Sequence, residues 1–271
     1  MQFKLILHCD EVGDNKIPIN YQYPLSAAIY KILAKGDSEY AAFLHEKGYG
    51  KGYKMFTFSD LKGRFKIRQD RIHLLGTSVE FTISFHLPEA SRTFIEGLFR
   101  SERITIADKK SKVHFKVAAV LSQPSIWNGE QENQIVRKTV RTASAIVSGN
   151  KKENGQYDFL SPADEEYTNT LEYSWRNKIQ TLYDDETAQN ALLKIDVEYF
   201  QNPYRSRLVT IKADTLEETK LKSYLNFKLK LTGEKRFVDV LLNSGAGVYN
   251  AQGMGCLEMV GPKEIKNNRN D

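Results

Sequence analysis

Cysteine is scarce in this chain, which holds only Cys9 and Cys256 among its 271 residues. Two cysteines are too few for a disulfide framework, so we expect a reducing, cytoplasmic environment. No cluster of cysteine and histidine has the spacing of zinc ligands, and the sequence predicts neither a metal site nor a cofactor. No apolar run reaches the length that spans a bilayer and no signal peptide is recognisable, so we expect no membrane association.

The excess of positive charge is small. Lys and Arg total 39 against 34 for Asp and Glu, which gives a formal net charge of +5. This balance is compatible with a nucleic-acid partner but does not establish one. Hydrophobic residues make up 41% of the chain. The length is sufficient for one large domain or two small ones with substantial cores.

The first half of the chain alternates strand and helix patterns. Pro24 suits the first position of a helix, and Asp37 suits the cap of a second helix in which Phe43 faces inward. Apolar residues that alternate with polar ones predict the strands. Strand, helix, paired strands, helix, strand is the order of a ferredoxin-like unit. The predicted strands cover 3–9, 55–58, 65–75, 79–85 and 113–121, and a third helix covers 89–99.

The second half shows the same order, although its sequence does not repeat the first. We therefore predict an α+β protein with two tandem ferredoxin-like (RRM-like) domains. The polar, turn-rich segment 123–134 is the best candidate linker, which places the domains at 1–124 and 135–271. The second domain is predicted to contain strands over 142–147, 191–200, 221–231 and 256–260, a hairpin after 208, a long helix that starts at Ser161, and a helix over 234–242.

A glycine-rich loop near residue 250 is the most distinctive pattern. Gly245 and Gly247 form one Gly-x-Gly pair, and Gly253 and Gly255 form a second pair after a gap of five residues. Glycine permits a positive φ and close approach of another backbone, so we expect outward-pointing amides that bind phosphate. A tight helix-to-strand connection without a ligand is the alternative. The dinucleotide-binding motif is excluded because it follows a strand and opens a helix, the reverse of this order.

The segment 221–231, just before this loop, alternates leucine with lysine. Its apolar face predicts a half-buried antiparallel strand, and its polar face carries Lys228 and Lys230. The helix that follows begins with Lys235 and Arg236. Any strand with one solvated face shows this pattern, but a face rich in lysine and free of acids also suits an RNA backbone. We predict these four residues as RNA contacts.

Three further candidates lie in the first 51 residues. Tyr30 is on the flank of the apolar stripe of the first helix, and His45 is in the last turn of the second. Lys51 lies in a loop over 48–54 that interleaves glycine, tyrosine and lysine. Ordinary structural roles are available to each, because histidine is favourable near a helix C-terminus, a loop lysine can simply be solvated, and the tyrosine can flank the core.

With these parts in place, the chain resembles the CRISPR-associated endoribonucleases that process precursor CRISPR RNA, the sixth Cas protein family of the RAMP superfamily. The two glycine pairs match that family's terminal G-h-G-x₅-G-h-G pattern, where h is a hydrophobic or small residue. The segments 25–33, 43–49 and 55–59 resemble its N-terminal region. The resemblance implies metal-independent cleavage within a CRISPR repeat RNA, with 2′,3′-cyclic phosphate and 5′-hydroxyl ends. The sequence leaves open whether the protein is a monomer or a homodimer and whether it joins other Cas proteins in an interference complex.

The resemblance further implies a catalytic set, since Tyr30, His45 and Lys51 fall where some members carry a Tyr/His/Lys triad. In such a set His45 is the general acid or base. Lys51 stabilises the charge that develops on the phosphorane, and Tyr30 positions the 2′-hydroxyl or assists proton transfer. The alternative is a RAMP-type subunit that holds CRISPR RNA without cleaving it. A nucleotide-binding enzyme that uses the glycine loop is a third hypothesis.

Overall fold

The computed structural model describes residues 1–9, 15–101, 103–153, 157–213 and 215–261. The predicted boundaries of the two domains stay a prediction, and residues 262–271 of the predicted second domain lie outside the described residues. Within these ranges, none of the helices is both long and apolar enough to cross a membrane.

The first half forms one antiparallel sheet with helices on one face. Along the main path the order is β2-β5-β1-β7-β6, and β3 and β4 also pair with β5. Helices α1 and α3 pack on this sheet, and the core between them contains Leu5, Ile29, Phe81 and Phe94, each at most 1% exposed. The elements are β1 (Gln2–Cys9), β2 (Lys16–Pro18), α1 (Gln22–Gly36), α2 (Ser38–Glu46), β3 (Phe56–Phe58), β4 (Lys62–Arg68), β5 (Arg71–Phe85), α3 (Pro88–Phe99), β6 (Arg103–Ala107) and β7 (Lys112–Ser122).

The second half contains a four-stranded sheet with the order β11-β14-β8-β15, together with two separate hairpins. Trp175 lies at the centre of its core and donates a hydrogen bond from Nε1 to the carbonyl oxygen of Phe237, at 2.7 Å. The elements are β8 (Ile135–Thr142), β9 (Gly149–Lys151), β10 (Tyr157–Phe159), α4 (Tyr167–Leu182), α5 (Asp185–Asn190), β11 (Leu193–Tyr199), β12 (Arg205–Ile211), β13 (Thr219–Leu225), β14 (Phe227–Glu234), α6 (Lys235–Ser244) and β15 (Leu257–Met259).

Both halves have the strand order of a ferredoxin-like domain. In the first half the last strand, β7, lies beside β1, and β5 separates β1 from β3 and β4. In the second half β15 lies beside β8, and β14 separates β8 from β11. Each sheet is therefore a βαββαβ unit in which the first and third strands are central. The prediction of two tandem ferredoxin-like domains is confirmed.

Two predicted strands are wrong because each contains a reversal or a break. The segment 65–75 is a hairpin of β4 and β5, and its turn holds Gln69 at φ 53°. The segment 221–231 is divided at Asn226, which has φ 68°. As a result β13 pairs with β12, while β14 belongs to the four-stranded sheet.

Several predicted boundaries also differ from the structure. Helix α1 begins at Gln22, two residues before Pro24, and α4 begins at Tyr167 rather than Ser161. The amide of Ser161 instead donates to Asp164 Oδ2 at 2.6 Å in a turn before the helix. Phe43 is 38% exposed rather than facing inward. Strand β8 ends at Thr142, where the predicted strand 142–147 was expected to begin.

The glycine-rich loop folds back on itself between α6 and β15. Its four glycines have φ values of 88°, 69°, 81° and 73° in chain order, and residues other than glycine rarely adopt such values. The amide of Gly255 donates to the carbonyl oxygen of Ala145, and the amide of Ala246 donates to that of Gly255. A Cβ atom on Gly255 would lie 2.0 Å from the carbonyl oxygen of Ala246. Close packing inside the loop therefore requires glycine there.

Replacing Gly255 with Ala tests this packing. We expect the substitution to lower the free energy of unfolding by about 3 kcal/mol, because a left-handed conformation and an overpacked contact add together. Gly129→Ala is the matched control, since Gly129 has φ 93° but a Cβ atom there would have no neighbour within 4 Å; it should cost about 1 kcal/mol. Urea denaturation measures both, and equal losses would contradict the packing role.

Candidate active site

A cavity of about 570 Å³ lies where the two domains meet. The first domain contributes residues of α1, the end of α2 and the loop over 48–54. The second contributes α4 and the glycine-rich loop. Tyr30, His45 and Lys51 all line this cavity. The structure therefore brings the three predicted catalytic residues together, although they come from three different segments.

Tyr30 and His45 are held by the helix pair α1 and α2. Asp37 joins the helices and accepts a hydrogen bond from the amide of Tyr40 at 2.9 Å, as its predicted capping role requires. The rings of Tyr30 and His45 meet edge to face, with centroids 4.9 Å apart and an interplanar angle of 88°. Burial raises the pKa of Tyr30 well above its ordinary value. Its hydroxyl therefore keeps its proton at neutral pH and can donate a hydrogen bond.

The imidazole of His45 is exposed to the cavity. Within the described ranges no hydrogen-bond partner of its ring nitrogens is found. Its backbone is held instead, because Lys54 Nζ donates to the carbonyl oxygen of His45 at 2.9 Å. A histidine placed in this way is available for proton transfer to a bound molecule.

Lys51 is fixed by a contact that crosses between the domains. Its Nζ donates to Asn177 Oδ1 of α4 at 2.9 Å. The neighbouring Gly50 has φ 51°, and a Cβ atom there would lie 2.4 Å from Thr181 Oγ1. The loop thus packs directly on α4. Because the partner is a neutral amide, the positive charge of Lys51 is not cancelled by this contact.

Lys178 forms a buried support beneath the cavity. Its ammonium donates to the carbonyl oxygen of Gly245 at 2.6 Å, to Asn250 Oδ1 at 2.8 Å and to the carbonyl oxygen of Ser244 at 3.3 Å. The residue is 1% exposed, and burial lowers the pKa of Lys178 to about 7. All three acceptors are uncharged. Lys178 therefore holds the glycine-rich loop at two points, Gly245 and Asn250.

Most of the glycine amides in the loop do not point outward as expected. All four are buried, and only Gly247 lines the cavity. The amides of Gly245, Gly253 and Gly255 donate to carbonyl oxygens within the protein, so the expectation of outward-pointing amides is wrong for these three. The cavity is lined instead by the residues between the glycine pairs, 248–252. Contact of the glycines with RNA stays a prediction.

Tyrosine rings occur around the cavity. Tyr53, Tyr157 and Tyr249 all line it, and the rings of Tyr157 and Tyr249 have centroids 6.2 Å apart. Tyr249 has φ 60°, a left-handed conformation that costs a residue with a side chain roughly 1–2 kcal/mol. The loop therefore holds an aromatic side chain at the cavity in a conformation that local preference disfavours.

The four cationic residues that were predicted to contact RNA lie away from the cavity. Lys228 is only 3% exposed, with Nζ 4.7 Å from the centre of the Phe200 ring, so its expected position on a solvated face is wrong. Lys230 pairs with Glu198 at 2.5 Å. The remaining two also pair with acids: Lys235 with Glu132, and Arg236 with Glu234 at 2.8 Å. None of the four lines the cavity.

Sequence reasoning missed the contribution of α4. Ser174, Asn177 and Lys178 are buried polar residues on this helix. Ser174 Oγ donates to the carbonyl oxygen of Gly247 at 3.0 Å, one helical turn from Lys178. The signal was present in the sequence, because Ser174 and Lys178 are spaced i, i+4 beside the apolar stripe of Tyr167 and Trp175.

Acidic clusters are not part of this site. In the portion of the chain that the structure describes, no group of three or more His, Cys, Asp or Glu side chains is arranged to hold a metal ion. The cavity is instead bordered by the cations Lys51 and Lys54 and by the imidazole of His45. Such a lining suits an anionic ligand.

Comparison with known proteins gives a consistent result over both domains. The model of the N-terminal part of the CRISPR-associated protein Cas6 matches residues 16–120, and the model of its C-terminal part matches residues 129–259. The CRISPR-associated endoribonuclease Cas6 of Pyrococcus furiosus is 24% identical over 253 residues, which are 93% of this chain and 86% of that protein. CRISPR-associated endoribonuclease Cas6 1 of Methanocaldococcus jannaschii is 25% identical over 275 residues, or 99% and 96% of the two chains.

Solved structures show the same fold. One described as CRISPR associated protein Cas6 superposes with a TM-score of 0.70 at 23% identity, over 96% of this chain and 99% of that one. Together, the two family models cover the residues that line the cavity and most of each ferredoxin-like domain. The chain belongs to the Cas6 family of CRISPR-associated proteins.

Proposed function

We propose that this protein is an endoribonuclease that cleaves precursor CRISPR RNA within its repeats. The observation that carries the proposal is the convergence of Tyr30, His45 and Lys51 on one cation-bordered cavity at the domain junction. The two relatives from Pyrococcus furiosus and Methanocaldococcus jannaschii are both named CRISPR-associated endoribonucleases. Their names support the same activity here.

The chemistry uses the nucleophile that RNA carries. The 2′-oxygen attacks the adjacent phosphorus, a bond forms between them, and the bond from phosphorus to the 5′-oxygen breaks. One proton leaves the 2′-hydroxyl and another reaches the departing 5′-oxygen. The products are a 2′,3′-cyclic phosphate and a 5′-hydroxyl. No oxidant, reductant or other reactant is required, and we propose that no metal ion takes part.

Each of the three side chains fits one requirement of this reaction. The exposed imidazole of His45 can transfer a proton near neutral pH. Lys51, fixed by Asn177, supplies a positive charge to the phosphorane, which carries more negative charge than the starting phosphodiester. Tyr30 is protonated at neutral pH, and burial raises its pKa further, so it acts as a hydrogen-bond donor that positions the reacting ribose.

The tyrosines at the cavity are suited to unpaired nucleotides. RNA bases that are not in a duplex stack on aromatic side chains, which tolerate different base identities. Tyr53, Tyr157 and Tyr249 supply such surfaces around the proposed catalytic residues. We propose that they bind the bases next to the scissile phosphate.

Lys178 acts as a positioning residue in this proposal. Its ammonium has three acceptors in the loop and is buried, so it is not available to bind phosphate without giving up one of them. Its contribution is to hold the segment 248–252 against the cavity. Tyr249 and the other residues of this segment then face the same space as His45.

Replacing His45 with Ala tests the proton-transfer role. Loss of a general acid or base should lower the cleavage rate by roughly 10²-fold or more. The measurement is single-turnover cleavage of the repeat RNA from the host's own array, with binding followed by gel shift. His8→Ala is the control, because His8 is an exposed histidine at the far end of β1. Cleavage by His45→Ala at the wild-type rate would remove His45 from the mechanism.

Chelation separates the proposed chemistry from metal-assisted hydrolysis. We expect the wild-type protein to cut the repeat RNA at an unchanged rate in excess EDTA, and mass spectrometry should find a cyclic phosphate on the upstream product. A rate that falls on chelation and returns with Mg²⁺ would contradict the metal-independent mechanism. RNA that shifts in the gel but stays uncut would support a subunit that only binds RNA.

The pH dependence of stability tests the burial of Lys178. Its pKa is about 7 in the folded protein and about 10.4 in an unfolded chain, so between these values the unfolded chain binds one more proton. Stability due to this residue therefore rises with pH from about 7 and levels off above about 10. We expect the difference in unfolding free energy between wild type and Lys178→Met to grow from pH 7 to pH 9.

Urea denaturation of the RNA-free protein at several pH values measures this difference. Lys35→Met is the control, because Lys35 is an exposed lysine of α1, and its difference from wild type should not change with pH. Burial also lowers the pKa of His86, so that group titrates below the chosen window. Parallel curves for wild type and Lys178→Met would show that Lys178 is not buried as described.

A further inference from the structure

The hairpin of β4 and β5 extends beyond the rest of the first sheet. Strand β1 pairs with β5 only from Ser78 onward. The preceding part of β5, over 71–77, has β4 on one side, and β2 covers only its first three residues on the other. We call β4, the turn at 69–70 and residues 71–77 the basic arm. All seven residues of β4 are exposed.

Positive charge is concentrated on β4. Its sequence from Lys62 to Arg68 contains four cations and no acid, in a chain whose net charge is only +5. A register shift between Gly63 and Phe65 separates Lys62 from the other three cations, and Arg64, Lys66 and Arg68 occupy alternate positions beyond it. Alternate residues of a strand share a face and repeat about every 7 Å. This repeat is comparable to the separation of successive phosphates along an extended nucleic-acid strand.

The three cations of this row have no partners inside the described structure. Arg64, Lys66 and Arg68 have no ion pair or hydrogen bond from their side chains to any residue within the described ranges. Cations elsewhere on the arm behave differently: Arg71 pairs with Asp108 at 2.6 Å and with Asp70 at 3.1 Å. The row therefore presents positive charge that the fold itself leaves uncompensated.

The other face of the arm borders a groove that it shares with the second domain. Phe65 and Ile67, on the other face of β4, line a groove that also contains Leu208 of β12. At the base of the arm, Lys62 Nζ pairs with Glu258 of β15 at 2.9 Å. The arm is therefore joined to the second domain at its base, while Arg64, Lys66 and Arg68 are exposed.

Two neighbouring cavities lie between the candidate active site and the tip of the arm. Tyr23 lines the catalytic cavity and also a second cavity, of about 840 Å³. That second cavity is bordered by Asp70 and Arg71 at the tip of the arm. An RNA strand that leaves the candidate active site past Tyr23 would therefore run toward the tip of the arm.

We infer that the basic arm binds the sugar–phosphate backbone of the RNA segment that extends from the candidate active site. This inference rests on the proposed function, and it adds a second binding surface remote from the chemistry. Charged residues on an exposed edge strand also protect it from pairing with other chains. Protection of the strand edge requires only that the residues be charged. RNA binding requires in addition that these charges contribute to RNA affinity.

Neutralising two members of the row tests the inference. Lys66→Gln/Arg68→Gln removes two proposed phosphate contacts, and Lys35→Gln/Arg92→Gln removes the same charge from exposed positions on α1 and α3. Affinity for the host's repeat RNA is measured by fluorescence anisotropy in EDTA over a series of salt concentrations. With about 0.7 per contact for single strands, the slope of log K against log salt should become shallower by about 1.4. Adding Arg64→Gln should reduce it by about 0.7 more.

The outcomes separate this inference from the proposed function. A wild-type protein that binds and cuts the RNA, with the arm variant equal to it in affinity and salt slope, would overturn the arm as an RNA surface and leave the endoribonuclease proposal standing. An equal loss in the control variant would also overturn it, because the effect would follow net charge and not position. A wild-type protein that neither binds nor cuts the RNA would overturn both proposals.

Discussion

The contact of the glycine-rich loop with strand β3 determines how the two domains meet. Thr57 Oγ1 donates to the carbonyl oxygen of Met254 at 2.9 Å inside the protein. A Cβ atom on Gly253 would lie 2.5 Å from the ring of Phe58, and Ser26 Oγ donates to the carbonyl oxygen of Ala251 at 2.7 Å. Because α1 also carries Tyr30, this contact places the loop and the proposed catalytic residues on opposite walls of one cavity. A larger residue at Gly253 would separate those walls.

A buried charge completes this junction from the other side. Lys178 is removed from solvent, which is costly for an ammonium group unless hydrogen bonds compensate it. Carbonyl oxygens at the end of α6 are suitable acceptors, since the last carbonyls of a helix lack partners within the helix and carry the negative end of its dipole. Lys178 satisfies those of Ser244 and Gly245. The same lysine therefore ends one helix, orders the loop that follows it, and borders the cavity.

Local signals predicted the elements better than the breaks between them. The cap at Asp37 and the alternation over 79–85 have causes within a few residues, and both are present in the structure. Asn226 interrupts a strand although apolar and polar residues continue to alternate across it, so periodicity does not reveal the break. The glycine pattern indicated unusual φ values correctly, but whether the amides point outward depends on the acceptors that the fold supplies. Lys178 was missed because its acceptors lie more than 60 residues away in the chain.

The exposure of His45 explains why remote RNA contacts matter for the proposed reaction. An imidazole with no orienting partner in the described structure gains a defined position relative to the 2′-hydroxyl only when the substrate itself is held in place. Binding energy from groups that do not react can supply this orientation. In the proposed complex, aromatic stacking at the cavity and phosphate contacts along the basic arm would act at two separate points of the same strand, and two points fix its direction as well as its position. In this proposal, the ribose is positioned against His45 by surfaces that take no part in proton transfer.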